Sequence, residues 1–117
     1  MLDHLPSLAH PPLDTPNRAW SAVLAEIRDC MALEANWDGM GAGPLDREID
    51  NLWPRVVDEL RHRGWAPPSS VRPTPDGCLS LEWVLPDGNR LEAELSAKQI
   101  NWMLSSPDGV EIETEAV

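Results

Sequence analysis

Between residues 75 and 88 the side chains fall into two alternating phases. Leu79, Leu81, Trp83 and Leu85 occupy one, Ser80, Glu82 and Val84 the other, and a Pro-Asp-Gly tripeptide stands at each end. Period-two alternation of this kind predicts a strand with one buried face. The flanking tripeptides are turn signals: proline presets φ, aspartate bonds its own backbone, and glycine takes the left-handed position without steric cost. A third copy, Pro107-Asp108-Gly109, follows later in the chain. Leu91, Ala93 and Leu95 continue the odd-numbered apolar phase. A three-residue loop at 86–88 therefore pairs Leu81 with Ala93 and Trp83 with Leu91. The same loop length at 75–77 pairs Val71 with Leu81, and at 107–109 it pairs Leu104 with Ile112. A four-residue loop at 96–99 pairs Leu95 with Ile100 and Ala93 with Trp102. These loops are mutually consistent, and they predict an antiparallel meander of four or five strands.

Upstream the period changes to that of a helix. Trp20, Val23, Leu24, Ile27 and Met31 recur at i, i+3, i+4, i+7 and i+11, opposite Arg18, Glu26, Arg28 and Asp29. Thr15-Pro16 reads as an N-cap followed by proline at the first helical position, and the helix is expected to run to about Ala35. A second stripe, Leu45, Ile49, Leu52, Val56 and Leu60, predicts a helix starting at Gly43-Pro44, with Asp46 and Glu48 in its first turn and Gly64 as its stop. Pro54 falls inside it and predicts a kink. Residues 1–15, with Pro6, Pro11 and Pro12, read as an irregular arm preceding a single domain over 16–117. The expected class is α+β, with two N-terminal helices on one face of the meander.

Charge changes the picture most. The net charge is -11, and it is uneven: residues 1–74 hold 11 acids against 7 bases, residues 75–117 nine acids against two. An acidic sheet half disfavours direct contact with nucleic acid or anionic membrane, because both need a basic footprint. It favours a basic protein. The predicted register sets Glu82 opposite Glu92, with Glu113 further along the same row. The next row holds Ser80, Glu94, Asn101 and Glu115, and the third Val84, Arg90, Ser105 and Glu111. Like charges directly opposite destabilise by up to roughly 1 kcal/mol per pair; Arg72 and Arg90 relieve part of this. Two readings of the outer face follow. It is a solvated surface that limits aggregation, or a docking face on which carboxylates stand in for nucleic-acid phosphates.

Other chemistry is sparse. The three histidines, at 4, 10 and 62, lie apart from any ligand spacing, so no metal is expected. Cys30 and Cys78 are expected as reduced thiols in a cytoplasmic protein. No serine or cysteine sits in a nucleophile elbow. The glycine-rich loop Trp37-Asp38-Gly39-Met40-Gly41-Ala42-Gly43 lacks the Lys and Ser/Thr of a phosphate loop, and it reads as a helix connection with Trp37 plugging the core. Neither a secretory leader nor an apolar run of spanning length is expected.

This loop, the Pro73-Thr74-Pro75-Asp76-Gly77 turn and the Leu81-Glu82-Trp83 strand together resemble a group of small bacterial proteins. That group has a W-D-G-x-G-A loop, a helix, and a P-x-P-D-G turn leading into an L-E-W strand; the resemblance spans about residues 33–105. The group usually carries tyrosine where Met40 stands. The resemblance implies this architecture and carries no active site with it. With no catalytic or cofactor motif in the chain, the expected function is non-enzymatic and cofactor-free. A small acidic protein, monomeric or weakly dimeric, would bind and block a basic, nucleic-acid-binding partner through Glu82, Glu92, Glu94, Glu111, Glu113 and Glu115. An anti-defence inhibitor such as an anti-CRISPR fits that description, and so does an antitoxin. The alternative is an accessory subunit that binds through its helices while the acidic face is only solvated.

Overall fold

The computed structural model describes residues 19–116. The expected arm, Thr15-Pro16 and Arg18 lie outside the described residues. Two helices, α1 (Trp20–Met31) and α2 (Ile49–His62), precede five strands: β1 (Ser70–Pro73), β2 (Leu79–Val84), β3 (Arg90–Leu95), β4 (Gln99–Ser106) and β5 (Gly109–Ala116). The strands form one antiparallel sheet in sequence order. This is the expected α+β meander.

α1 buries Val23, Ile27, Cys30 and Met31, with Trp20 and Leu24 packed at the margin. It stops at Met31, short of the expected Ala35. The chain must reverse at Asn36, which is held at φ 64, and Ala32 and Leu33 close the helix with short-range bonds to Arg28, Asp29 and Cys30 carbonyls. α2 likewise starts later than its stripe implied. Leu45 is buried ahead of the helix, and Asp46 shapes the approach: its carboxylate accepts the Glu48 N–H at 2.9 Å and its carbonyl the Ile49 N–H at 3.0 Å. Ile49, Leu52, Trp53, Val56, Val57 and Leu60 then face inward, and the helix passes through Pro54.

Gly64, at φ 81, ends α2 as expected. Its N–H reaches the Arg61 carbonyl and the Trp65 N–H reaches Leu60, the paired bonds of a Schellman turn. That turn delivers Trp65 into the core. There it meets Trp83 edge-on at 5.4 Å and Trp102 at 5.7 Å, while Trp83 and Trp102 stack at 6.3 Å. Edge-to-face and offset arrangements of this kind add to simple burial. The Trp83 indole donates to the Ala66 carbonyl at 2.8 Å, and the Trp20 indole to the Trp65 carbonyl at 3.2 Å. One core joins both helices to Leu79, Leu81, Trp83, Leu91, Ala93, Leu95, Ile100 and Trp102, the inward phase of β2–β4.

The register of β1 to β4 follows the apolar alternation: Val71 pairs with Leu81, Leu81 with Ala93, Trp83 with Leu91, Ala93 with Trp102 and Leu95 with Ile100. β5 does not follow it. Ser106 pairs with Gly109 across a two-residue loop, so Leu104 faces Glu111 and Ile112 faces Met103. A one-residue slip of this kind turns a whole strand over. Gly77 and Gly88 hold left-handed bulge positions at φ 85 and 86, whereas Gly109 at φ 136 is already the first residue of its strand. Burial imposes register only where a face is covered. α1 packs against β1 and α2 against β3, and no residue of β5 belongs to the core. The turn therefore decides the register there.

Candidate partner-binding surface

The slip divides the six glutamates between the two faces of the sheet. Glu82, Glu92 and Glu94 remain on the outer face, on strands β2 and β3. Glu111, Glu113 and Glu115 stand opposite Leu104, Trp102 and Ile100. Directly paired residues share a face, so this second set lies on the helix-bearing side, at its open margin. The expected continuous carboxylate rows do not form. In their place the outer face of β5 presents Val110 and Ile112, 60% and 62% exposed, with Ile112 opposite the half-buried Met103.

On the outer face the carboxylates are largely compensated. Glu82 accepts from Arg90 at 3.0 Å and from Arg72 at 3.5 Å. Glu92, which stands opposite it, accepts from the buried Ser80 hydroxyl at 2.5 Å. Glu94 is half-buried between Ser80 and Asn101. The like-charge pair foreseen at Glu82 and Glu92 is real in position, but each member has its own donor. Both arginines converge on Glu82, and the Ser80 hydroxyl serves Glu92.

β5 differs. Its carboxylates at 111, 113 and 115 have apolar cross-strand neighbours on β4. Glu111 is exposed and Glu113 and Glu115 are half-buried. One strand thus shows acid on one side and aliphatic surface on the other. Parity could have revealed it: a two-residue reading of the third turn exchanges the faces of every residue from 110 to 116.

The loop after α1 is self-contained. Asp38 accepts the Met40 N–H at 2.8 Å and the Ala42 N–H at 3.1 Å. These bonds, Met40 first, hold its carboxyl below the usual aspartate range. Asn36 accepts from Gly41, and its own N–H donates to the Ala42 carbonyl at 2.6 Å. Trp37 does not plug the core as expected; it is half-buried and its indole donates to the Gly43 carbonyl at 2.7 Å. The Met40, Gly41 and Ala42 N–H groups are thus already occupied by side chains of the loop itself.

A cavity of about 340 Å³ opens beside the first turn, lined by Asp46, Asp76, Cys78, Lys98 and their neighbours. Burial, and next the Glu94 carboxylate, push the Cys78 thiol up, which the Thr74 hydroxyl only partly offsets. A protonated thiol is a poor nucleophile. Cys30 is buried, and its thiol is also pushed up by burial and by Glu26 and Asp29; both cysteines are free. Among the described residues no group of three or more His, Cys, Asp or Glu could hold a metal ion, and no helix is long and apolar enough to cross a membrane. The chain matches no protein-family model, no curated protein and no solved structure.

Proposed function

We propose that this is a non-enzymatic interaction protein that binds a basic protein, one that itself handles nucleic acid, and blocks it. The observation that carries the reading is β5, where Glu111, Glu113 and Glu115 line one side of a strand and exposed Val110 and Ile112 the other. Rigid, evenly spaced carboxylates on a sheet attract a basic surface and orient it, and adjacent apolar area supplies burial once it docks. The outer-face set at Glu82, Glu92 and Glu94 contributes less, since β2 and β3 are interior strands whereas β5 is an edge of the sheet. Inhibition of a nucleic-acid-directed defence system, or neutralisation of a toxin, are the roles such a surface suits.

The experiment is a pull-down from host lysate with the wild type and two triple variants, Glu82/Glu92/Glu94→Gln and Glu111/Glu113/Glu115→Gln. The expected result is recovery of a basic nucleic-acid-binding protein by the wild type and the first variant, its loss in the second, and steep weakening with salt. Equal recovery by all three, insensitive to salt, would move the working surface to the helices and make the protein an accessory subunit instead.

A further inference from the structure

The two edges of the sheet are built differently. β1 is four residues long, contains Pro73, which has no N–H to offer, and has α1 packed against it. Short length, proline and cover are the ordinary ways of closing an edge. β5 is eight residues long, and its register with β4 runs without a bulge from Gly109 to Ala116. It contains no proline, and every residue in it is at least partly exposed. Among the described residues no strand pairs with its outer side. Such an edge is a template for one more strand.

The side chains of β5 restrict what that strand can be. A second copy of this chain, paired antiparallel about a two-fold axis, keeps both helical layers on the same side of the joint sheet. That geometry places glutamates opposite glutamates, which is unfavourable. The complementary strand instead carries Lys or Arg at alternate positions, facing the row that includes Glu111 and Glu115. Between them it carries aliphatic residues, which extend the apolar strip of Val110 and Ile112.

Building on the basic-partner reading above, we infer that β5 receives an extended segment of the partner in which basic and aliphatic residues alternate, added as a sixth strand. Backbone hydrogen bonds supply the affinity and the alternation supplies the specificity. The segment is about five to eight residues long, matching the length of β5.

The test uses the whole chain and fluorescently labelled eight-residue peptides. The first alternates Lys and Val. The second has the same composition with all lysines at one end, and the third is the alternating peptide N-methylated at every residue. Saturable binding of the first, at least tenfold weaker binding of the other two, and slowed amide exchange at 109–116 in the complex are the expected results. A Glu111→Lys/Glu115→Lys variant should lose the Lys-Val peptide and accept an alternating Glu-Val peptide. The exchange measurement on the wild type stands even if that variant fails to fold. Equal binding of the three basic peptides would overturn strand addition while leaving the basic-partner reading in place. Binding of none of them at low ionic strength would overturn both, and sedimentation of the wild type as a dimer through β5 would overturn the exclusion of self-pairing.

Discussion

Trp83 and Trp102 stack on one another in the core, each about 1% exposed, yet their polar edges differ. The Trp83 N–H donates to the Ala66 carbonyl at 2.8 Å, whereas the Trp102 N–H is buried with no hydrogen-bond partner among the described residues. The same substitution, Trp→Phe, should therefore have different consequences at the two sites. Each removes about 40 Å³ of ring, which at ~24 cal/mol per Å³ of residual cavity costs ~1 kcal/mol. At Trp83 the change also deletes a hydrogen bond and leaves a buried carbonyl unsatisfied, adding ~1–3 kcal/mol. At Trp102 it removes an unsatisfied donor, and relief of that penalty offsets the cavity. Trp83→Phe is expected to destabilise by ~2–4 kcal/mol and Trp102→Phe to lie within ~1 kcal/mol of the wild type. Urea denaturation followed by far-ultraviolet circular dichroism is the suitable assay, since tryptophan fluorescence changes with the mutation itself, and equal m-values would validate the comparison. Two variants differing by under ~0.5 kcal/mol would refute the claim that the Ala66 bond distinguishes the sites.

Three further outcomes are expected. Asp38 is held below the ordinary aspartate value of 3.8 by the Met40 and Ala42 amides. Its contribution to stability is therefore present above that value and lost as pH falls through the lower folded one, and the Met40 and Ala42 amide shifts should titrate below 3.8 in an NMR pH series. Titration at or above the ordinary value would show that the loop is open in solution. Both thiols are pushed up and Cys30 is the more buried, so iodoacetamide at pH 8 should alkylate Cys78 before Cys30, and both more slowly than in urea; the reverse order would place α1 wrongly. Under mild oxidation Met103→Cys/Ile112→Cys should cross-link and Leu104→Cys/Ile112→Cys should not, read by peptide mapping, because Ile112 lies opposite Met103; the converse would restore the three-residue turn.

How far the chain could be read in advance depended on burial. From Val71 in β1 to Trp102 in β4 the inward apolar side chains belong to one core with the helices and the tryptophan cluster, so alternation and loop length allow only one register. No β5 residue belongs to that core. Three copies of Pro-Asp-Gly look alike, but Ser106 pairs directly with Gly109 only in the third, a choice that no buried side chain enforces. Trp65 lies in a connector without periodicity, and only the Schellman turn at Gly64 shows why it enters the core. The acidic rows had the same limit. Facing positions at Glu82 and Glu92 were legible from parity, but the donation by Arg72, Arg90 and Ser80 depends on side-chain reach across strands. Trp37 showed apolar character, but not the indole bond that ties it to Gly43.

β5, and not the outer face of β2 and β3, is the proposed working surface. Chemical-shift mapping of the isotopically labelled protein with the alternating Lys-Val peptide tests it most directly. Perturbations are expected to concentrate at residues 109–116 and the adjoining β4 positions, with Glu82, Glu92 and Glu94 little moved. Perturbations centred on those three glutamates, or on α1 and α2, would contradict it.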